Sequence, residues 1–166
     1  MKKIIIALFT VILLVHIAGC GSQNTVDSKS IRTFTVSANG TMITPYVNFA
    51  WERTYTENGW LAGDGISATY ILPGIVDELP EIQMDASISF DVSENGKIQA
   101  FDIFNEEYKR IYHRITEKEF RELDNGVYYV SVLVNWTGKY IASENDYETS
   151  GEEYIFKMTF GTDTIK

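Results

Sequence analysis

The chain has 166 residues, 45% of them hydrophobic and 22% charged, with a formal net charge of −9, a balance that fits one globular domain rather than a disordered segment. The negative charge argues against nucleic acid as a partner, because phosphate binding needs a concentrated basic surface. One cysteine, Cys20, excludes an intrachain disulfide and any multi-cysteine metal site.

Residues 1–19 have three zones. Lys2 and Lys3 make a positive start, residues 4–15 are apolar apart from Thr10, and Ile17-Ala18-Gly19 is a small-residue exit. That is the build of a secretory signal. A transmembrane anchor would need about 20 apolar residues, whereas this run is broken by His16 and closed by Gly19. Ile17-Ala18-Gly19-Cys20 resembles the lipobox of bacterial lipoproteins. The resemblance implies a diacylglyceryl group on the Cys20 sulfur, cleavage between Gly19 and Cys20, and a cell-envelope protein on the extracytoplasmic side of a membrane. Two acyl chains suffice for stable anchoring at ~0.8 kcal/mol per buried CH₂. Of 14 basic residues against 23 acidic, loss of Lys2 and Lys3 leaves 12 and a net charge of −11. An anionic domain is repelled by anionic headgroups. The polar residues 20–30 therefore read as a lipidated flexible tether.

After residue 30 the hydrophobic pattern turns to period two. Phe34, Val36 and Ala38 alternate with polar residues, and Asn39-Gly40 supplies a hairpin turn. Val47, Phe49 and Trp51 form the next stripe, which predicts a buried Trp51. Asn58-Gly59 and Asp64-Gly65 are further turn signals, and Pro73-Gly74 with Pro80 marks a loop. Strands are expected over 87–92, 97–104 and 108–115, with Asn95-Gly96 turning the chain between the first two. Thr116 with Glu119 matches a capping box and predicts one short helix. Tyr128, Val130, Val132, Val134 and Trp136 make the strongest apolar stripe, and Tyr154, Phe156, Met158 and Phe160 make the last. Many short strands with frequent turns predict an all-β, antiparallel sandwich or barrel.

Asp124-Asn125-Gly126-Val127-Tyr128-Tyr129-Val130 resembles the D-x-G-x-Y-x-C segment of immunoglobulin-like domains, with Val130 where those carry Cys. The likeness implies an Ig-like β-sandwich over 31–161, its short helix before the penultimate strand, and a Tyr128 hydroxyl returning to backbone upstream. Residues 162–166 are left as a C-terminal tail. The run "PYVNFAWERTYTENGWLAGDG", followed by "GVYYVSVLVNWTGKYI", resembles small extracytoplasmic domains of Gram-positive lipoproteins. Similar segments accompany beta-lactam-sensing antirepressor metallopeptidases. Their HExxH motif is absent here, so no activity carries over.

Catalytic chemistry has few candidates. Lipidation would remove the Cys20 thiol, and His113 is the one histidine beyond the leader. It reads as a strand histidine, since no G-x-S-x-G elbow accompanies it. Two carboxylates could hydrolyse glycosides without histidine, but 23 acidic residues leave the pair unchosen. The acidic stretch 144–153 could gather calcium, yet lacks the order of a preformed calcium loop and reads as a hairpin tip. Trp60 follows an Asn-Gly turn and is the candidate exposed aromatic for ligand contact.

The reading is therefore a lipid-anchored envelope protein with a non-catalytic binding or sensing domain. No catalytic residue, cofactor or metal is assigned. Expected partners are the membrane, through Cys20, and an envelope protein or glycan. The alternatives are a small carboxylate-dependent hydrolase of cell-wall glycans, and a structural or inhibitory partner of another envelope protein.

Overall fold

β-Branched and aromatic residues dominate the segments that pair, and in the computed structural model they build mostly antiparallel β-structure in two sheets. Residues 32–63, 65–84 and 88–161 are described. The leader, Cys20, the tether and the 162–166 tail lie outside them, as do Asp64 of one turn signal and Ser87 of one expected strand.

The strands are β1 (Phe34–Ala38), β2 (Thr41–Ile43), β3 (Tyr46–Thr56), β4 (Gly59–Ala62), β5 (Glu81–Met84), β6 (Ser89–Val92), β7 (Gly96–Phe104), β8 (Arg110–Ile115), β9 (Gly126–Ile141) and β10 (Asp146–Phe160). The smaller sheet has the order β2-β1-β6, and the larger β4-β3-β10-β9-β7-β8. One pairing departs from the antiparallel expectation: β5 runs parallel to the end of β10, with Lys157 opposite Glu81. There Lys157 Nζ donates to Glu81 Oε2 at 2.9 Å, which holds the Glu81 carboxyl below the usual carboxylate range.

The main core lies between the sheets. On the inner face of the larger sheet Phe101 and Ile103 of β7, Val130, Val132, Val134 and Trp136 of β9, and Tyr154, Phe156 and Met158 of β10 are buried. Phe34, Val36 and Ala38 of β1 close over them. Helix α2 (Glu117–Phe120) contributes Phe120, stacked on Phe101 with ring centroids 4.7 Å apart. Its capping box is present, with Thr116 and Glu119 bonding each other's backbone. The Tyr128 hydroxyl donates to the Asp124 carbonyl at 3.0 Å, the upstream return that the segment's resemblance implied. Burial, and the Glu152 carboxylate that accepts from its hydroxyl, push the Tyr154 phenol well above its ordinary range.

The outer face of the larger sheet carries a second, smaller core, which the sequence reading missed. The Pro73-Gly74 signal predicted a loop, but residues Ala68–Ile75 form helix α1, followed by a 3₁₀ turn at Val76–Glu78. Ser67 caps the helix through Thr69 N–H. Pro73 sits in the last turn, where its missing N–H leaves only the carbonyl of Thr69 without a helical partner. Thr69 and Pro73 are both exposed, so water can meet that carbonyl. Ala68 and Leu72 pack on Phe104, Tyr129 and Ile155, and that burial holds the helix despite the proline.

Candidate functional site

The outer face beside α1 is not apolar throughout. Next to the helix it opens into a cleft of about 240 Å³, and the side chains that line it are brought there by irregularities in two strands.

The first irregularity is in β8. Ile115 faces Phe101, Tyr112 faces Ile103, and Arg110 faces Phe104, so two register slips fall within six residues. Residues opposite Ile103 and Phe101 belong to the inner face, and those opposite Phe104 to the outer. The slips leave His113 and Arg114 together opposite Asp102, and Arg110, His113 and Arg114 all reach the outer face. Bulges of this kind re-aim side chains and are over-represented next to functional sites. Asp102 fixes the arrangement. Its carboxylate accepts the Arg114 backbone N–H at 2.7 Å, meets His113 Nδ1 at 3.1 Å, and pairs with Arg110 Nη1 at 3.1 Å. Arg114 is held at φ 53°, a left-handed conformation that costs a non-glycine residue about 1–2 kcal/mol. Strain of this sort persists only where surrounding contacts over-determine it.

The second irregularity is in β3. Phe49 faces Glu153 and Val47 faces Tyr154, so Asn48 is the extra residue of a bulge. The freed Asn48 amide donates both to Glu153 Oε2 (2.5 Å) and to the carbonyl of Ile66 (2.7 Å), tying β10 to the segment before α1. Glu153 is 8% exposed, and its other oxygen accepts from Ser131 Oγ at 2.5 Å. Phe49 forms an apolar wall, with Gly65 against its ring: a Cβ on Gly65 would fall 2.1 Å from the ring carbons.

This bulge also corrects the Val47-Phe49-Trp51 stripe. The period breaks at Asn48, leaving Val47 exposed and opposite inner-face Tyr154, while Phe49 lines the cleft. Trp51 is only partly buried, outside both cores, with its indole beside Gly151, where a Cβ would lie 2.4 Å from Nε1.

Trp60, the candidate ligand contact, is on β4 away from the cleft lining. It is partly buried; the Arg53 guanidinium lies 3.9 Å from its ring centroid and Tyr55 packs edge-on. The acidic stretch 144–153 is the tip of the β9–β10 hairpin and the first half of β10. Its carboxylates are each taken up: Glu144 by the Tyr55 hydroxyl, Glu148 by the Tyr55 N–H, Asp146 by Arg53, Glu152 by the Tyr154 hydroxyl and Arg32, and Glu153 by Ser131 and Asn48 at the cleft. Among the described residues no group of three or more His, Cys, Asp or Glu side chains is placed to hold a metal ion. His113 lies on a strand as expected, but its partnership with Asp102 and its place in a cleft depend on β8 slipping register, which no periodicity reports. Cys20 lies outside the described residues.

Chemically the cleft holds two carboxylates, two guanidinium groups, one imidazole and the Ser67 and Ser131 hydroxyls beside an apolar wall. Such a mixture can bind and orient a small polar molecule. The contacts of Asp102 and Glu153 described above are all donors or cations. Compared with protein-family models, curated protein sequences and solved structures, the chain matches none.

Proposed function

We propose that the chain is a membrane-anchored lipoprotein whose extracytoplasmic β-domain binds a small polar ligand in the Asp102–Glu153 cleft without turning it over. The anchor is the diacylglyceryl group on Cys20, reached through the lipobox Ile17-Ala18-Gly19-Cys20, and it sets position and local concentration. The observation that carries the binding reading is the strained bulge at Arg114, held by three contacts to Asp102 at the edge of a cleft. We read the sandwich as Ig-like, on the support of the Tyr128–Asp124 bond and the capped helix before the penultimate strand. The partner is an envelope glycan or protein fragment, not nucleic acid.

One observation favours a second reading, a carboxylate-dependent hydrolase of wall glycans: Asp102 and Glu153 line the same cleft. Hydrolysis of that type needs one carboxyl to hold a proton for the leaving group. Here Asp102 is taken up by the Arg114 N–H, His113 and Arg110, and Glu153 by Ser131 and Asn48, an arrangement better suited to fixing and orienting a ligand.

Two experiments test the proposal. In cells fed labelled fatty acid, the full-length protein takes up label and Cys20→Ser does not; a labelled Cys20→Ser protein removes the anchor. Incubated with a soluble cell-wall digest, the purified protein gains hydrogen-exchange protection at Arg114 and across 65–67 with no release of reducing ends. Release that vanishes in Asp102→Asn establishes the hydrolase instead.

A further inference from the structure

Two opposite charges in the cleft lack a charged partner among the described residues. Glu153 is buried, and its oxygens accept only from the neutral donors Ser131 and Asn48. A buried carboxylate without a cation carries an uncompensated desolvation cost, and each of its oxygens can accept a second hydrogen bond. At the other side, Arg110 and His113 are spent on Asp102, whereas the neighbouring Arg114 meets Asp102 only through its backbone N–H. Arg114 is exposed and lines the cleft, and no hydrogen bond or ion pair to the described residues occupies the bidentate donor fork of its guanidinium.

From this we infer that the ligand is a small zwitterion, its ammonium seated on Glu153 and its carboxylate on Arg114. The inference rests on the cleft being the binding site and names what that site takes. The two charges stand on β10 and β8, with β9 and β7 between them. Three inter-strand steps separate those backbones by about 14 Å, a gap that the long arginine and the shorter glutamate side chains narrow from both ends. The volume of about 240 Å³ lies just below the roughly 300–1,000 Å³ of sites for larger ligands, and suits an amino acid or dipeptide. Phe49 and Leu133 give apolar wall for a short side chain. A simple anion such as phosphate would meet Arg114 but be repelled by Glu153 and Asp102. A simple amine would meet the reverse. A molecule carrying both charges satisfies both ends.

The test is a titration of isotope-labelled full-length protein in detergent micelles, followed by amide NMR shifts. The probes are alanyl-alanine, its N-acetyl derivative and its C-terminal amide. Alanyl-alanine is expected to shift the amides of Arg114, Ser131 and Glu153, and each blocked probe to bind about tenfold more weakly. In Arg114→Gln the difference between the dipeptide and its amide should vanish. In Glu153→Gln the difference between the dipeptide and its acetyl derivative should vanish. Should Glu153→Gln fail to fold, Arg114→Gln, an exposed substitution, decides alone. Equal binding of all three probes in the cleft overturns the zwitterion and leaves the cleft as the site. No shift up to tens of millimolar overturns the zwitterion too, and shifts gathered elsewhere on the protein overturn the cleft reading itself.

Discussion

The two faces of the larger sheet obey different rules. On the inner face Val130, Val132, Val134 and Trp136 run in unbroken alternation and meet β1 in an apolar core. On the outer face β3 slips once and β8 twice, and polar side chains enter positions that strict alternation would deny them. Regular pairing maximises buried apolar area and uniform hydrogen bonding. Irregular pairing gives up some of that to converge groups from distant strands. The inner face thus carries the larger core, and the outer face carries the smaller core and the polar groups of the cleft proposed to bind a ligand.

The comparison breaks most readily at its apolar end. Phe101 is fully buried and stacked on Phe120, so Phe101→Ala should lower unfolding free energy by about 3–5 kcal/mol, read by denaturant titration. A loss under about 1 kcal/mol would mean that the inner face is not the main source of stability. Gly65→Ala tests the outer face. The added methyl must displace the Phe49 ring, and overpacking of this kind costs about 1–3 kcal/mol. Stability measured with the titration of alanyl-alanine should show both quantities falling together.

Arg114→Gly separates the two roles. Glycine adopts φ 53° without the strain of about 1–2 kcal/mol but adds unfolded-chain entropy worth about 0.5–1 kcal/mol, so the variant should keep its stability or gain up to about 1 kcal/mol while losing the preference for a carboxylate-bearing probe. A destabilised Arg114→Gly would show that the arginine side chain supports the fold and is not held there for recognition.

The smallest expected effect sharpens the edge of the sheet, where Lys157 lowers the Glu81 pKa. A carboxylate lowered in the folded state contributes stability above its unfolded pKa of about 4.3, and that contribution fades as pH falls through the folded value. The pair is partly exposed, so screening limits the effect to a few tenths of a kcal/mol. Glu81→Gln should flatten the stability profile below about pH 5 by that amount, and an unchanged profile would leave the β5–β10 pairing independent of this ion pair.

The legible part of the fold is the part that alternates. The stripes at 34–38, 128–136 and 154–160 are β1, β9 and β10, and Asn39-Gly40 is a turn with both residues at positive φ. The capping box at Thr116 marks α2 because its signal is local, two side chains bonding backbone three residues apart. Helix α1 was hidden by Pro73, whose local preference is outweighed by Leu72 and Ala68 packing on the sheet. The cleft was hidden for a related reason. Asp102, Ser131 and Glu153 stand on three strands, and nothing in the spacing of the chain says that they share a face.

The sequence by itself determined the mostly antiparallel β architecture, because period-two burial and turn chemistry act over a few residues and can be read from them. Only the tertiary structure decided which polar groups meet. Strand order sets neighbours across the sheet, and a bulge such as that at Asn48 or Arg114 turns a side chain to the other face through pairing with a distant strand, an interaction that no local pattern encodes.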